Sequence, residues 1–347
     1  MNARVRALVE QARSPSREVL ERLKVWREVL LTMNLPEDKP IDGVSRWLIM
    51  TRAGVIPMTL TSGLIAGLLA IGAPHANWLY FSLALVGLVL AHASNNLIND
   101  YFDLESGIDT AEAPRALYAP HPILSGWITR GGLLRAIVAI NAIDVAILLV
   151  LFMVRGWPVV AFAIAGLLIS VFYVAPPVRL KHHGLGEPAV FIVWGPLMVC
   201  GTYFVTAGVL PGWVWSASLP YAILVTTVLM GKHIDKLPYD SERQVRTLPV
   251  IFGQSAALRA NQVLMCAFYV VVGILVLAKV FAFATLIVLA AVPMLKQTLD
   301  LYSRPKPDRP PPNYPVWPLW YVASAFVHAR RAGALLVLGL LLGWIVG

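Results

Sequence analysis

The chain has 347 residues, of which 58% are apolar and only 14% charged, and its mean hydropathy is +0.70. Those values exclude a water-soluble globular class, because a chain with so few charges has too little polar surface to clothe a core of that size. The formal net charge of +9 invites a nucleic-acid partner, but its distribution along the chain points elsewhere.

Residues 1–45 form a polar N-terminal extension. In it Ser14 can cap a helix, Pro15 can take the first helical position, and Val19, Leu20, Leu23, Trp26 and Leu30 recur at helical spacing. The pattern predicts an amphipathic helix, either lying on the inner leaflet or packed on the protein's own loops. No short apolar core before a small-residue cleavage site is present here, so no cleavable signal peptide is expected.

Residues 46–347 read as one transmembrane domain. Apolar segments suited to a hydrocarbon core of ~30 Å fall at 54–72, 79–98, 134–154, 158–175, 188–209, 216–232, 262–280, 282–297 and 333–347, which predicts an all-α membrane bundle of nine spans. With the N-terminus inside, every one of the 28 lysines and arginines except Arg155 and Lys279 lies on the inner side or at an inner helix end. That is the positive-inside bias. It assigns the net charge to topology and to contact with anionic membrane lipid, not to nucleic acid. The expected location is the inner (plasma) membrane of the cell, multi-pass, with the N-terminus and the acidic loops cytoplasmic and the C-terminus outside.

Cys200 and Cys266 fall within spans without partners at ligand spacing and read as packing residues. Seven prolines within 303–318 predict an extended, helix-free connection before the last span, serving as a linker or a cover.

The chemistry is concentrated in the inner loops. The second span runs straight into Asn95-Asn96-Leu-Ile-Asn99-Asp100-Tyr-Phe-Asp103-Leu-Glu105-Ser-Gly107-Ile-Asp109. If the helix continues, Asn96, Asn99, Asp100 and Asp103 share one face, and Gly107 permits a turn that returns Asp109 to the same point. Carboxylates so crowded beside a membrane repel one another unless a cation joins them, and Mg2+ suits one or two carboxylates together with substrate phosphates. The sixth span ends in a second acidic loop with Asp235 and Asp240, five apart around Pro238, which converge only if the chain bends there. Arg115, Arg179, Lys181, His182, His183 and Arg246 surround the two loops. Acids that hold a metal, mixed with cations, are what a diphosphate needs.

At these residues the chain resembles the UbiA-type superfamily of membrane prenyltransferases. Asn99-Asp100-x-x-Asp103 followed by Ser106-Gly107-x-Asp109, His121-Pro-Ile-Leu-Ser125-Gly126, and Tyr173-x-x-Pro176-Pro177-x-x-Leu180-Lys181-x-x-Gly184-Leu-Gly186-Glu187 look most like the 1,4-dihydroxy-2-naphthoate (menaquinone) prenyltransferase branch. Gly201-Thr-Tyr203 and Arg246-Thr247-Leu248 fit the same branch. Three positions depart from it: Gly231, Lys232 and Ile234 replace a usual pair of asparagines and an arginine, Asp235 and Asp240 stand one residue wider than the usual four, and His121 replaces an arginine.

The resemblance implies a nine-helix bundle enclosing a lateral cavity, capped by the acidic loops. It implies Mg2+ bound by Asn96, Asp100, Asp103, Asp109, Asp235 and Asp240, with Asp100, Asp103, Asp235 and Asp240 catalytic. Asn96, Asn99, Arg115, Tyr173, Lys181 and Arg246 would bind substrate. The implied reaction moves a polyprenyl group from an allylic prenyl diphosphate to an aromatic acceptor, a naphthoate or another quinone precursor. The alternatives are a terpene cyclase of the same superfamily, prenyl transfer to a lipid alcohol, and, more remotely, a transporter. Tyr101, Tyr173 and Tyr203 are candidate aromatic faces for a carbocation or interfacial anchors. Asp144 and Asn141 suggest a helix-packing hydrogen bond, His92 a satisfied packing residue, and Glu187 a group touching either the cavity floor or a basic loop residue.

Overall fold

The computed structural model describes residues 15–34, 41–312, 314 and 316–346, so Ser14 lies outside the described residues. Every regular element among them is helical, and one isolated bridge joins His183 to Arg246. The amphipathic helix appears as α1 (Pro15–Thr32). Val29 on its inner face is buried beside Ile49, whereas Val19, Leu20 and Leu23 stay exposed. Asp42 joins this helix to the next: its carboxylate accepts from the Trp26 indole at 2.9 Å and caps α2 (Gly43–Met50) by accepting from the Ser45 amide at 2.7 Å.

Arg52 then takes a left-handed conformation, φ 52°, before α3 (Ile56–Leu69). The first expected span is therefore the second limb of a pair bent by 57°. Next come α4 (Trp78–Glu105), α5 (Arg130–Arg155), α6 (Trp157–Phe172), α7 (Gly186–Ala207) and α8 (Gly212–Asp235). Two short helices follow, α9 (Leu237–Glu242) and α10 (Leu248–Phe252), then α11 (Gln254–Leu277), α12 (Phe283–Tyr302) and α13 (Tyr321–Val346).

Seven of these helices are long and apolar enough to cross a membrane, and the bent pair makes up to eight. The expected span at 158–175 is a helix of only 16 residues, about 24 Å at 1.5 Å per residue. The last helix begins at Tyr321, well before the expected 333, because Arg330 and Arg331 lower the hydropathy while Tyr321, Ala325 and His328 are buried against protein. Met153, Leu277 and Phe283 are at least 80% exposed on outer faces, a pattern that suits a lipid solvent and not water.

The principal core lies where α3, α7, α8, α11 and α13 meet. Close approach of α7 to α8 depends on Gly195, since a Cβ there would fall 2.5 Å from that of Ala222. Pro196 supplies no amide hydrogen, and α7 widens to a π-helix over Val193–Cys200. The carbonyl of Trp194 in that segment accepts from the Ser62 hydroxyl at 2.7 Å, which ties α7 to α3. Among the described residues the proline-rich stretch contains no helix, as expected, and Val316 within it and Leu319 just beyond it line the central cavity.

Candidate active site

The first acidic residue set is the continuation of α4, the second expected span. Because α4 runs unbroken to Glu105, Asn96, Asn99, Asp100 and Asp103 are all carried on its buried face. Gly107, at φ +71°, then reverses the chain, and the amides of Ile108 and Asp109 both donate to the Asp103 carbonyl at 2.9 and 3.0 Å. Asp109 is thereby returned to the helix end, as its spacing predicts.

Asn96, Asn99, Asp103 and Asp109 open into one cavity of about 710 Å3, with Asp100 behind its wall. One end is polar, with Asn96, Asn99, Asp103, Asp109, Arg115 and Lys181 on its wall; the rest is walled by side chains such as Ile147, Leu151, Val159 and Leu167. Asp100 is fully buried. It accepts from Arg52 at 2.6 Å and from both terminal nitrogens of Arg115, one of them at 2.8 Å. Arg115 also reaches Asp109 at 3.2 Å. Lys181 donates to both oxygens of Asp103, at 3.1 and 2.9 Å.

Burial alone would raise the Asp109 carboxyl, but the charges of Arg115, Lys236, Lys181 and Arg52 outweigh it and hold the group far below the usual carboxylate range. For His121, burial and then the Arg115 charge push the imidazole below its ordinary value. Its ring lies 3.2 Å from the Asp100 carbonyl and 3.8 Å from Asp109.

A cation fits this end. One ligand atom from each of Asp100, Asp109 and His121 lie within 4.8 Å of one another. The side-chain oxygen of Asn99 is buried without a partner, and Asn96 spends its amide nitrogen on the Thr51 carbonyl at 2.9 Å, which leaves its oxygen available. Hard oxygen donors in this number suit Mg2+.

The second loop departs from expectation. The chain does break at Lys236 and restarts as α9 with Pro238 in its first turn, yet Asp235 and Asp240 share no partner. Asp235 accepts from the amides of Trp320, Tyr321 and Val322 at 2.9, 3.2 and 2.9 Å, and Lys306 lies 3.3 Å away. It secures the start of α13 and is not on the cavity wall. Asp240 is fully buried, with Lys236 at 3.5 Å. The two acidic loops nevertheless touch, because the Tyr239 hydroxyl donates to the Ile108 carbonyl.

Arg246 is a second correction. It is exposed, pairs through its backbone with His183, and does not line the cavity. Of the three tyrosines only Tyr173 lies on the wall; Tyr203 is buried edge-on against Trp213, and Tyr101 packs on Phe102. Asp144 also differs from expectation. Asn141 bonds to Ser94 at 2.6 Å, while Asp144 faces the cavity with one oxygen unpartnered. His92 is the packing residue anticipated, 2.7 Å from the Thr59 hydroxyl and edge-on to Trp194.

Sequence reasoning missed Arg52, Lys232, Lys236 and His233, all on the cavity wall. His233 is held through Nδ1 by Glu187 at 2.8 Å, both buried. The spacing of Lys232 and Lys236, one helical turn apart, was the available signal for those two.

The model of the UbiA prenyltransferase family matches residues 60–319, three quarters of the chain. The chain belongs to the UbiA prenyltransferase family. Among curated relatives of this UbiA-family protein, the UbiA prenyltransferase domain-containing protein 1 of Dictyostelium discoideum is 26% identical over 220 residues, covering 60% of this chain and 64% of the relative. The 1,4-dihydroxy-2-naphthoate octaprenyltransferase of Bacillus subtilis is 23% identical over 214 residues, covering 60% and 66%. The chain thus spans slightly under two thirds of those relatives' lengths. A UbiA homolog from Archaeoglobus fulgidus, solved bound to GPP and Mg2+, superposes with a TM-score of 0.56 at 15% identity, over 84% of this chain and 99% of that one. At that identity the likeness concerns the UbiA fold.

Proposed function

We propose that this UbiA-family chain transfers a prenyl group from an allylic prenyl diphosphate to an aromatic acceptor, in a reaction that depends on Mg2+. The observation that carries the proposal is the cavity itself. It joins a compact end of carboxylates, amides and cations to a long apolar remainder, matching a molecule with a diphosphate head and a hydrocarbon tail. The Archaeoglobus homolog bound to GPP and Mg2+ supports the donor, and the naphthoate prenyltransferase relative supports an acceptor of the naphthoate or quinone-precursor class.

Asn96, Asn99, Asp100, Asp103 and Asp109 are the residues that would hold the metal, which supplies charge neutralisation to the departing diphosphate. Arg52, Arg115 and Lys181 point their charges at the same end and would bind the phosphate oxygens directly, moving from carboxylate to phosphate partners as the donor enters. When the C1–O bond breaks, its electron pair leaves on the diphosphate. The apolar wall keeps water from the cationic C1, and Tyr173 offers a ring on that wall. A carbon of the acceptor ring then bonds to C1, and the ring loses a proton. His233, oriented by Glu187, is the wall residue placed to receive it.

The proposal includes nine spans, counting the bent pair and α6, a plasma-membrane location, and the acidic loops on the cytoplasmic face. The test is purified protein with Mg2+, geranylgeranyl diphosphate and 1,4-dihydroxy-2-naphthoate, followed by mass spectrometry. Prenylated naphthoate that vanishes with EDTA is the expected product. A cyclic hydrocarbon formed without acceptor would overturn the transferase reading in favour of a cyclase, and no Mg2+-dependent turnover of any prenyl diphosphate would overturn both.

A further inference from the structure

We infer that Arg330 selects the aromatic acceptor, and that it does so by binding a carboxylate carried on the acceptor ring. This rests on the prenyl-transfer reading above and adds a recognition residue for the second substrate.

The argument starts from where α13 begins. Its first residue is Tyr321, so Arg330 lies nine positions inside the helix, about 13 Å from its head. Val322, Ala323, Phe326, Val327 and Arg330 line the cavity, and their spacing places all five on one stripe of the helix. Four are apolar and the fifth is a cation. Arg331, about 100° further round the helix, is exposed and is not on the cavity wall.

An arginine at that depth in a membrane helix is costly unless it meets an anion or reaches the interface. Among the described residues no carboxylate stands at ion-pair distance from Arg330. Its guanidinium rests over the Phe326 ring, 5.6 Å from the centroid. Asp103 and Asp109, acids on the same cavity wall, are engaged by Lys181 and Arg115. The cation therefore faces the cavity with its charge uncompensated, and an oxyanion is the ligand it fits.

Depth decides which oxyanion. Helices α8 and α13 run antiparallel in close contact: a Cβ at Gly231 would fall 3.0 Å from the Val322 Cα, and one at Gly333 would fall 2.8 Å from the Tyr221 ring. Counting inward from both contacts brings Val228, also on the cavity wall, level with Phe326. The guanidinium over Phe326 is thus about 6 Å, one helical turn, deeper than the Lys232 level at the polar end. The donor's diphosphate belongs with the cations of the polar end. The acceptor ring must lie against C1, just beyond that diphosphate, which brings a ring substituent to the level of Arg330. A carboxylate there can take two parallel N–H bonds from the guanidinium fork.

The test uses the full chain purified in dodecyl maltoside, with Mg2+, geranylgeranyl diphosphate and two matched acceptors, 1,4-dihydroxy-2-naphthoate and its carboxamide. The readout is the ratio of their kcat/KM values, which a general loss of folding or of donor binding leaves unmoved. The wild type is expected to prefer the acid, and Arg330→Met to lower that preference at least tenfold through KM for the acid. Arg330→Lys keeps the charge but not the planar fork, and its ratio is expected to fall between those two. Arg331→Met is expected to match the wild type. If Arg330→Met does not fold, the Arg330→Lys ratio decides. An unchanged ratio in the Arg330 variants would overturn the inference, as would a wild type that uses acid and carboxamide equally. A loss seen only in phosphatidylglycerol nanodiscs, and not in the phosphate-free detergent, would assign the guanidinium to lipid phosphate and overturn it too. In each of those cases prenyl transfer itself stands; no prenylated product from either acceptor would overturn that reading as well.

Discussion

Arg52 and Asp100 meet at 2.6 Å across 48 positions of chain, and neither belongs to a loop that the other's neighbours define. Arg52 sits in the left-handed break between α2 and α3; Asp100 lies near the end of α4. Their contact fixes the N-terminal helices against the floor of the site. Replacing Asp100 by Asn removes the carboxylate charge that both Arg52 and the buried Arg115 contact directly. Loss of one member of such a buried network costs about 3–5 kcal/mol, so Asp100→Asn is expected to melt several degrees lower and to lose turnover by at least a hundredfold. Thermal unfolding in detergent and a product assay measure the two effects separately.

Asp235 behaves differently. As the acceptor for three amides at the head of α13 and the partner of Lys306, it acts on stability. Asp235→Ala should cost about 1–2 kcal/mol, the scale of a lost helix cap. At low temperature it should retain most of the wild-type turnover, in contrast to Asp100→Asn. Turnover as low as that of Asp100→Asn in a protein with an unchanged melting curve would place Asp235 in the chemistry after all.

Gly166 on α6 lines the cavity, and a Cβ there would meet nothing within 4 Å. Gly166→Phe should therefore be tolerated by the fold and intrude on the space for the prenyl tail. Competition between geranyl and geranylgeranyl diphosphate should shift toward the shorter donor by about tenfold or more, equivalent to ~1.4 kcal/mol. Equal loss for both donors would place the ring outside the path of the tail.

The pair Glu187 and His233 offers a prediction on rate. His233→Gln keeps a polar group on the wall but removes the proton acceptor. It should lower kcat by 10- to 100-fold or more, the scale of general-base catalysis, while leaving KM for the donor close to wild type. A matching rise in KM with kcat intact would mark His233 as a binding residue instead.

Much of the site was legible because it is local. The spacing of Asn96, Asn99, Asp100 and Asp103 on one uninterrupted helix, with Gly107 returning Asp109, depends only on backbone geometry within a dozen residues. Lys181 and Arg115 were legible from charge in adjoining loops. Asp235 and Arg246 were misread for the opposite reason. Their neighbours in sequence are acidic and basic as a site requires, but their partners are the α13 amides and His183, and no local pattern announces those.

From the sequence alone came the helical class, the membrane as solvent, the extended proline-rich stretch and the first acidic cluster, because hydropathy and helical period act over short stretches of chain. Tertiary structure decided what faces what. The docking of Gly231 against Val322 sets the rotation of α8, and that rotation sends Asp235 to the head of α13 and Lys232 and Lys236 into the cavity. A helix presents all its faces in its sequence; only the close packing of a neighbour selects which of them meets the substrate.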